Sequence, residues 1–420
     1  SSGFAPPRRA MRDTPYLNRA LTRRTFLRRA GKAAATLALP MSIRATRPTT
    51  LRLTAATMPD PDGHHAALRL KGDWLVIAID DGVHTGLGEV SHSNDDDACR
   101  RRIAELFAAH VAGREPSLEL LEELHRGPFA RASDLPHATA ISGIDQALHD
   151  LVARRRGLPV WRLHAERAVR ESVPSYLSTN RALRRRLPAD FVAVVDSALR
   201  LGVRAVKLTP FEAVKPDGDQ VAQAEEGFTR IAAVRAAHPD LSLRVDCHER
   251  FTPATAARLL PRFDEFKLTW LEEPCPPGPD LAALRTRAKM PFAVGELFFG
   301  EDRFRELLRT SQAHVIMPDP KHVGGFGPLI RVCRMAEELG GEVSPHNPSG
   351  PIGTLACVHA AAVSRAVTSV ELILTSDPAR QPGRELLRDG QLRIPDGPGW
   401  GIDLTALSAA TGAQFRPIGI

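Results

Sequence analysis

The rhythm of hydrophobic and polar positions changes twice along the chain. Leu51-Arg52-Leu53-Thr54 alternates apolar and polar side chains, and two more strand-like runs, 68–70 and 74–79, follow it, separated by Lys71-Gly72-Asp73. Alternation of period two, broken by a glycine turn, predicts an antiparallel meander. Helical spacing then takes over. Ile103, Leu106, Phe107 and Val111 fall on one face of a helix over 98–111, and Ile141, Ile144, Ala147, Leu148 and Leu151 on one face of another over 138–156. Residues 50 to about 165 thus read as a small α+β unit.

From residue 173 short apolar runs alternate with stretches of helical length and composition. The runs are 173–176, 205–208, 243–245, 268–271, 292–294, 315–317, 342–344 and 370–374, with helical segments such as 191–201, 222–237, 254–260 and 330–339 between them. Parallel strands need crossovers, and eight of them close, so the pattern predicts a parallel barrel. A doubly wound open sheet is the alternative. It would place a glycine-rich phosphate turn after its first strand, where Ser178-Thr179-Asn180-Arg181 stands instead.

Length and composition agree with this division: 420 residues, 43% of them apolar, suffice for two domains or one large barrel with an addition. Charge changes the picture more. The net +7 would suggest an anionic partner, yet residues 1–50 hold eleven basic residues against Asp13 alone, a net +10, which leaves −3 for the rest. No basic surface for nucleic acid is expected on the body of the protein. Within the basic head, Thr22-Arg23-Arg24-Thr25-Phe26-Leu27-Arg28 precedes a modest apolar run over 33–43 and resembles a twin-arginine export signal. That run is far shorter than the ~20 apolar residues a permanent bilayer anchor needs. An exported protein that meets the Tat translocase is the expectation, and a basic tail the alternative. Five scattered cysteines, without a Cys-x-x-Cys pair, form no disulfide framework and read as small buried apolar groups.

The chemistry lies at the carboxyl ends of the predicted barrel strands, which deliver Lys207, Asp246 with His248, Glu272, Glu296, Asp319, His346 and Glu371 in order. In a barrel these ends converge on one mouth. Along an extended strand Asp246 and His248 point the same way and Cys247 the other. Asp246, Glu272 and Glu296 would repel one another in a shared pocket unless a cation held them, and an all-oxygen set suits Mg²⁺. Glu273, next to Glu272, is expected to point away as a supporting ion-pair residue. An aspartate beside an imidazole fixes its tautomer, so Asp319 and His346 read as a general-base pair.

Taken together, Val206-Lys207-Leu208-Thr209, Val245-Asp246-Cys247-His248, Trp270-Leu271-Glu272-Glu273-Pro274, Val294-Gly295-Glu296, Pro318-Asp319 with Gly324-Gly325, and Ser344-Pro345-His346 resemble the enolase superfamily in its mandelate racemase subgroup. The resemblance spans about residues 50–400 and implies a (β/α)7β modified TIM barrel under an N-terminal α+β capping domain. Its implied divisions are a leader and basic head (1–48), cap (49–168), barrel (169–385) and a C-terminal segment completing the cap (386–420). It implies Mg²⁺ on Asp246, Glu272 and Glu296, the Asp319–His346 pair as base, and Glu371 as a hydrogen-bond partner of a substrate carboxylate. A homo-oligomer is expected.

Two departures narrow the reaction. Where many members of the subgroup carry a second lysine, a base for the opposite face of the substrate, this chain has Thr209, which counts against racemisation. His248, two residues past Asp246, is similar to the acid-sugar dehydratases of the galactonate and mannonate type. The resemblance therefore implies a hydro-lyase acting on a small-molecule sugar acid: His346 removes the proton next to the carboxylate, His248 protonates the departing 3-hydroxyl, and a 2-keto-3-deoxy acid results. Lys207 would neutralise charge near that carboxylate. A racemase, epimerase or cycloisomerase on the same scaffold is the alternative, and a non-catalytic sugar-acid binder a second one. Substrate contacts are expected from cap loops at 57–65 and 89–94 and, beside Tyr176 and Ser178, from Asn180, Arg181 and Thr209.

Overall fold

The computed structural model describes residues 50–58, 73–375 and 383–418. The paired arginines Arg23 and Arg24, the run 68–70 and most of the loop 57–65 lie outside them.

The meander forms as β1 (Arg52–Met58), β2 (Trp74–Asp80) and β3 (Thr85–Glu89), antiparallel throughout, with Arg52 opposite Asp80 and Asp80 opposite Thr85. Helices α1 (Asp96–His110), α2 (Leu118–Arg126) and α3 (Leu135–Arg155) follow. Asp134 caps α3 by accepting from the His137 N–H, and Pro136 sits in its first turn. β3 can lie close against α3 because it carries Gly86 and Gly88. A Cβ at either would come within 2.1 Å of a helix carbonyl, that of Ala147 or of Gly143.

Periodicity predicts one apolar stripe on α3, but every residue over 138–153 is buried. The helix lies between the meander and the barrel, so its polar side chains are paired rather than solvated. Asp145 Oδ1 accepts from the Phe326 and Gly327 N–H groups (2.5 and 3.2 Å), and Gln146 Nε2 donates to the Pro320 carbonyl (2.9 Å). Asp150 accepts from the N–H groups of Leu87 and Trp400, both at 2.8 Å.

Each of the eight apolar runs overlaps a barrel strand: β4 (Ser172–Ser178), β5 (Ala205–Leu208), β6 (Ser242–Asp246), β7 (Trp270–Glu272), β8 (Phe292–Val294), β9 (Val315–Ile316), β10 (Glu342–Val343) and β11 (Val370–Ile373). Consecutive strands from β4 to β10 pair in parallel, and β11 pairs with β4. The ring closes where the Val343 N–H donates to Ala366 O (2.8 Å) and the Thr368 N–H to Val343 O (2.9 Å). Seven crossover helices separate the strands: α4 (Pro188–Arg200), α5 (Gln220–Ala237), α6 (Pro253–Asp264), α7 (Pro279–Arg285), α8 (Asp302–Arg309), α9 (Phe326–Leu339) and α10 (Pro351–Val363). The fold is α/β, a (β/α)7β modified TIM barrel with an α+β capping domain. No helix among the described residues is long and apolar enough to cross a membrane.

The C-terminal segment is divided between the two parts. The hairpin β12 (Leu387–Arg388) and β13 (Gln391–Arg393) joins the barrel, where β13 pairs antiparallel with residues 172–174 of β4. That half of β4 has backbone groups to satisfy, since only Leu177 and Ser178 pair with β5. After α11 (Leu404–Thr411), β14 (Arg416–Pro417) pairs with β1 and becomes the fourth strand of the cap sheet. Inside the barrel, Tyr176, Trp270, Ala293, Val315 and Met317 pack together. The Arg244 guanidinium lies between the Tyr176 and Trp270 rings, 4.6 and 4.3 Å from their centroids.

Fully buried on α10, His359 accepts from the Trp161 N–H at Nδ1 (3.1 Å) and faces the Trp400 carbonyl through Nε2 (3.3 Å), an arrangement a neutral ring satisfies. Burial lowers its pKa from 6.5 to about 4, against the Trp400 carbonyl, which favours the charged ring. Between those values the unfolded chain binds the extra proton, so the contribution is complete above pH 6.5 and is lost as pH falls toward 4. Urea unfolding at stepped pH is expected to show a loss of about 3 kcal/mol from this residue across the window. His359→Gln should flatten that part of the decline.

Candidate active site

The strands end together at one mouth, but the local backbone there is not extended. β6 stops at Asp246, and His248 and Glu249 take left-handed φ values of 46° and 53°. Asp246 Oδ1 accepts from the His248 N–H at 2.9 Å, a turn closed by the side chain of the strand's last residue. Asp246 and His248 therefore share the mouth as expected, but the turn rather than strand alternation accounts for it. His248 Nε2 lies 2.9 Å from Asp246 Oδ2, and its Nδ1 lies 2.7 Å from Glu212 Oε1.

Lys207, on β5, lies among three carboxylates, with Nζ 2.5 Å from Glu272 Oε1, 3.0 Å from Glu371 Oε1 and 3.5 Å from Asp246 Oδ2. Glu272 also accepts from the Trp270 indole at 3.0 Å, so both its oxygens are engaged. Gly295, at φ 112°, turns the chain after β8 and brings Glu296 in. On the far side His346 bridges two strand ends, with Nδ1 2.8 Å from Asp319 Oδ2 and Nε2 3.1 Å from Glu296 Oε2. Glu371 Oε2 accepts from the Asn347 N–H at 3.1 Å.

These groups face a cavity of about 290 Å³ whose wall includes Lys207, Asp246, His248, Glu296, His346 and Glu371. The three residues expected to contact substrate also line it, each already held by the protein. Arg181 is hydrogen-bonded to His92 of the cap, while Arg186 donates to Asn180 Oδ1 (3.0 Å) and Thr209 Oγ1 (3.3 Å).

The electrostatics are those of crowded, buried carboxylates. Burial, then Asp246, pushes Glu272 well above the usual carboxylate range; burial, then Glu273 and Asp246, does the same to Glu296. Glu273 is raised to about 7 by burial and by Asp246; it does not stand apart, because Asp246 acts on it and its Oε1 accepts from the Gly295 N–H at 3.1 Å. Burial works against the charged Lys207, yet Glu272 and Glu371 hold its pKa well above the ordinary lysine value.

A cation fits this donor set. Asp246 Oδ2 and Glu296 Oε2 are buried and have no aligned hydrogen-bond donor among the described residues, although a histidine nitrogen stands at ion-pair distance from each. Ligand atoms of Asp246, His248 and Glu296 come within 4.8 Å of one another. Of the three expected ligands, Asp246 and Glu296 thus share this cluster, and Glu272 stands beside it on Lys207.

Residues 190–408 match the family model for the enolase C-terminal domain-like fold, and residues 66–164 the model for the N-terminal domain of mandelate racemase and muconate lactonizing enzyme. The chain belongs to the enolase superfamily. A D-galactonate dehydratase of Ralstonia nicotianae is 28% identical over 361 residues, covering 80% of this chain and 90% of its own. One from Xanthomonas axonopodis pv. citri is 29% identical over 308 residues, covering 72% and 77%. The crystal structure of a mandelate racemase/muconate lactonizing enzyme from Jannaschia sp. CCS1 is 25% identical, with a TM-score of 0.73 over 86% of this chain and 96% of that one. A mandelate racemase/muconate lactonizing enzyme-like protein from Rubrobacter xylanophilus has the same fold, with a TM-score of 0.75 at 24% identity over 89% and 100%.

Two residues of this superfamily site escaped the sequence reading. Glu212 lies in the segment after β5, where polar residues ordinarily mean solvent, yet its side chain is buried and bonded to His248. Lys321 lies two residues after Asp319 and is fully buried, with Nζ 2.7 and 2.8 Å from the two Asp319 oxygens. Burial opposes ionisation of Asp319, but Lys321 above all, with His322 and His346, holds its carboxyl far below the usual range. The signal for Lys321 was its spacing: a lysine this close to a buried aspartate has few other partners.

Lys321→Met keeps the length of the side chain and removes the charge. It is expected to destabilise the fold by about 3 kcal/mol, as loss of one partner from a buried pair does. Chemical unfolding of variant and parent checks this, and an unchanged midpoint would show that the pair adds nothing to stability.

Proposed function

We propose that this enzyme is a Mg²⁺-dependent dehydratase of a sugar acid, removing the proton next to the carboxylate and expelling the 3-hydroxyl to give a 2-keto-3-deoxy acid. The observation that carries the reading is a pair of imidazoles flanking two carboxylates, His248 beside Asp246 and His346 beside Glu296. Dehydration needs one base and one acid, and two imidazoles can supply both. Thr209 in place of a second lysine argues against a reaction that needs a base on each face. The D-galactonate dehydratases among the relatives support the same class.

In this reading Asp246, Glu272 and Glu296 hold the metal, and a bound Mg²⁺ would polarise the substrate carboxylate and stabilise the negative charge that proton removal places on it. His346 accepts the proton at Nε2, its Nδ1 being committed to Asp319. Lys207 adds positive charge beside the same carboxylate, and Glu371 is a hydrogen-bond partner there. His248 donates its Nε2 proton to the 3-hydroxyl as the carbon–oxygen bond breaks. Water leaves, and the enol becomes the keto acid. Burial disfavours the charged His248 ring, but Asp246 and then Glu212 raise its pKa well above the ordinary imidazole value. Arg181, Asn180 and Thr209 lie where the substrate hydroxyls would be. We propose export as well, on the strength of Arg23-Arg24.

With D-galactonate as the first probe of an aldonate panel, the purified enzyme is expected to release a keto acid trapped by semicarbazide, to lose this activity on chelation and to regain it with Mg²⁺. His346→Asn should lower the rate by roughly 10²–10⁴-fold. Deuterium at C2 of recovered or epimerised acid, with no keto acid from any aldonate, would instead identify an isomerase. For export, changing Arg23 and Arg24 to Lys should retain the protein in the cytoplasm of an expressing cell; unchanged periplasmic recovery would remove that part of the proposal.

A further inference from the structure

His248 is held at both ring nitrogens, by Glu212 at Nδ1 (2.7 Å) and by Asp246 at Nε2 (2.9 Å). The two anchors are not equivalent. Asp246 Oδ2 is one of the oxygens that fit a cation, and the Nε2 proton is the one given up in the proposed elimination, so the Asp246 contact cannot persist through the reaction. Glu212 can. Its Oε1 faces Nδ1 while its Oε2 accepts from Arg250 Nη2 at 2.7 Å, so the carboxylate is itself fixed in a buried position. The backbone offers no substitute, since His248 sits at a left-handed φ at the edge of a turn, where side-chain contacts must set the ring's direction.

We propose that Glu212 is the positioning residue for the general acid: it accepts from His248 Nδ1–H and keeps Nε2 directed into the cavity when Asp246 turns to other partners. The inference rests on the dehydratase reading for its consequence in turnover, though not for the geometry it asserts. It separates two steps that share one pocket. His346 and Asp319, in the segments after β10 and β9, need nothing from Glu212 to remove the α-proton, whereas expulsion of the hydroxyl needs an aimed imidazole. Weakening Glu212 should therefore change the partition of the intermediate and leave its formation intact. Glutamine at this position keeps an acceptor for Nδ1–H, while alanine keeps none.

The test compares Glu212→Ala, Glu212→Gln and the parent, all Mg²⁺-loaded, with D-galactonate in D₂O. In Glu212→Ala, keto-acid release is expected to fall on the order of 10²-fold. Deuterium incorporation at C2 of recovered substrate should persist within about threefold of its parental rate, and KM should stay close to the parental value. Glu212→Gln should recover at least a tenth of parental release. A second arm needs no turnover: in protein labelled with ¹⁵N-histidine, the His248 Nδ1–H resonance, assigned by its loss in His248→Asn, should appear as a hydrogen-bonded, exchange-protected proton in the parent and in Glu212→Gln, and lose that protection in Glu212→Ala. Exchange and release falling in parallel, or a His248 Nδ1–H signal indifferent to alanine, would overturn the proposal. If the parent releases no keto acid, the dehydratase reading fails by itself, and the resonance arm still decides whether Glu212 holds the ring.

Discussion

Everything at the barrel mouth depends on how Lys207 offsets negative charge. Its buried ammonium reaches Glu272, Glu371 and Asp246 within 3.5 Å, and no other lysine or arginine bonds any of the three among the described residues. Burial first, and then the excess of carboxylates over this one positive charge, raises the pKa values of Glu272, Glu273 and Glu296, and imidazoles stand against Asp246 and Glu296. A pocket of this kind is incomplete electrostatically. Burial strengthens the repulsion as much as the attraction, so the cluster favours the arrival of more positive charge.

The barrel was legible because its signal is carried by many independent pieces. Eight short apolar runs separated by helical stretches leave few topologies open, and each run overlaps a strand. The ionisable residues at the strand ends were readable for the same reason, since the fold alone brings Lys207, Asp246, Glu272, Glu296, Asp319, His346 and Glu371 to one rim. Pairing within the rim was not readable. Whether Glu272 faces a cation or Lys207, and whether Asp319 answers to His346 alone or also to Lys321, depends on side-chain reach of a few ångströms that no spacing rule encodes.

His248 shows a right placement with the wrong cause. Alternation along an extended strand assigns it to the same side as Asp246, but the strand has already ended, and a left-handed turn closed by the Asp246 side chain does the work. Glu212 was invisible because its role comes from a loop folding back over the rim. The hairpin's place on the barrel was not readable, because the first half of β4, which pairs with β13, is left open by neighbouring strand lengths rather than by the C-terminal segment itself.

The buried polar face of α3 has a consequence for how this architecture can vary. Asp145, Gln146 and Asp150 join the helix to Phe326, Gly327, Pro320 and Trp400, so cap and barrel are bonded through directional contacts that tolerate little sliding. A cap transplanted from a related protein would leave these groups without partners unless the transplant carried α3 and its barrel contacts together. The 89–94 loop carries the same requirement: Glu89 accepts from the Gly350 and Gly353 N–H groups at 2.7 and 2.9 Å, and His92 bonds Ser349 and Arg181. Recombination is therefore expected to be restrictive at this helix and at the loop beside it, which makes the bonded seam, rather than either lobe, the natural unit of inheritance.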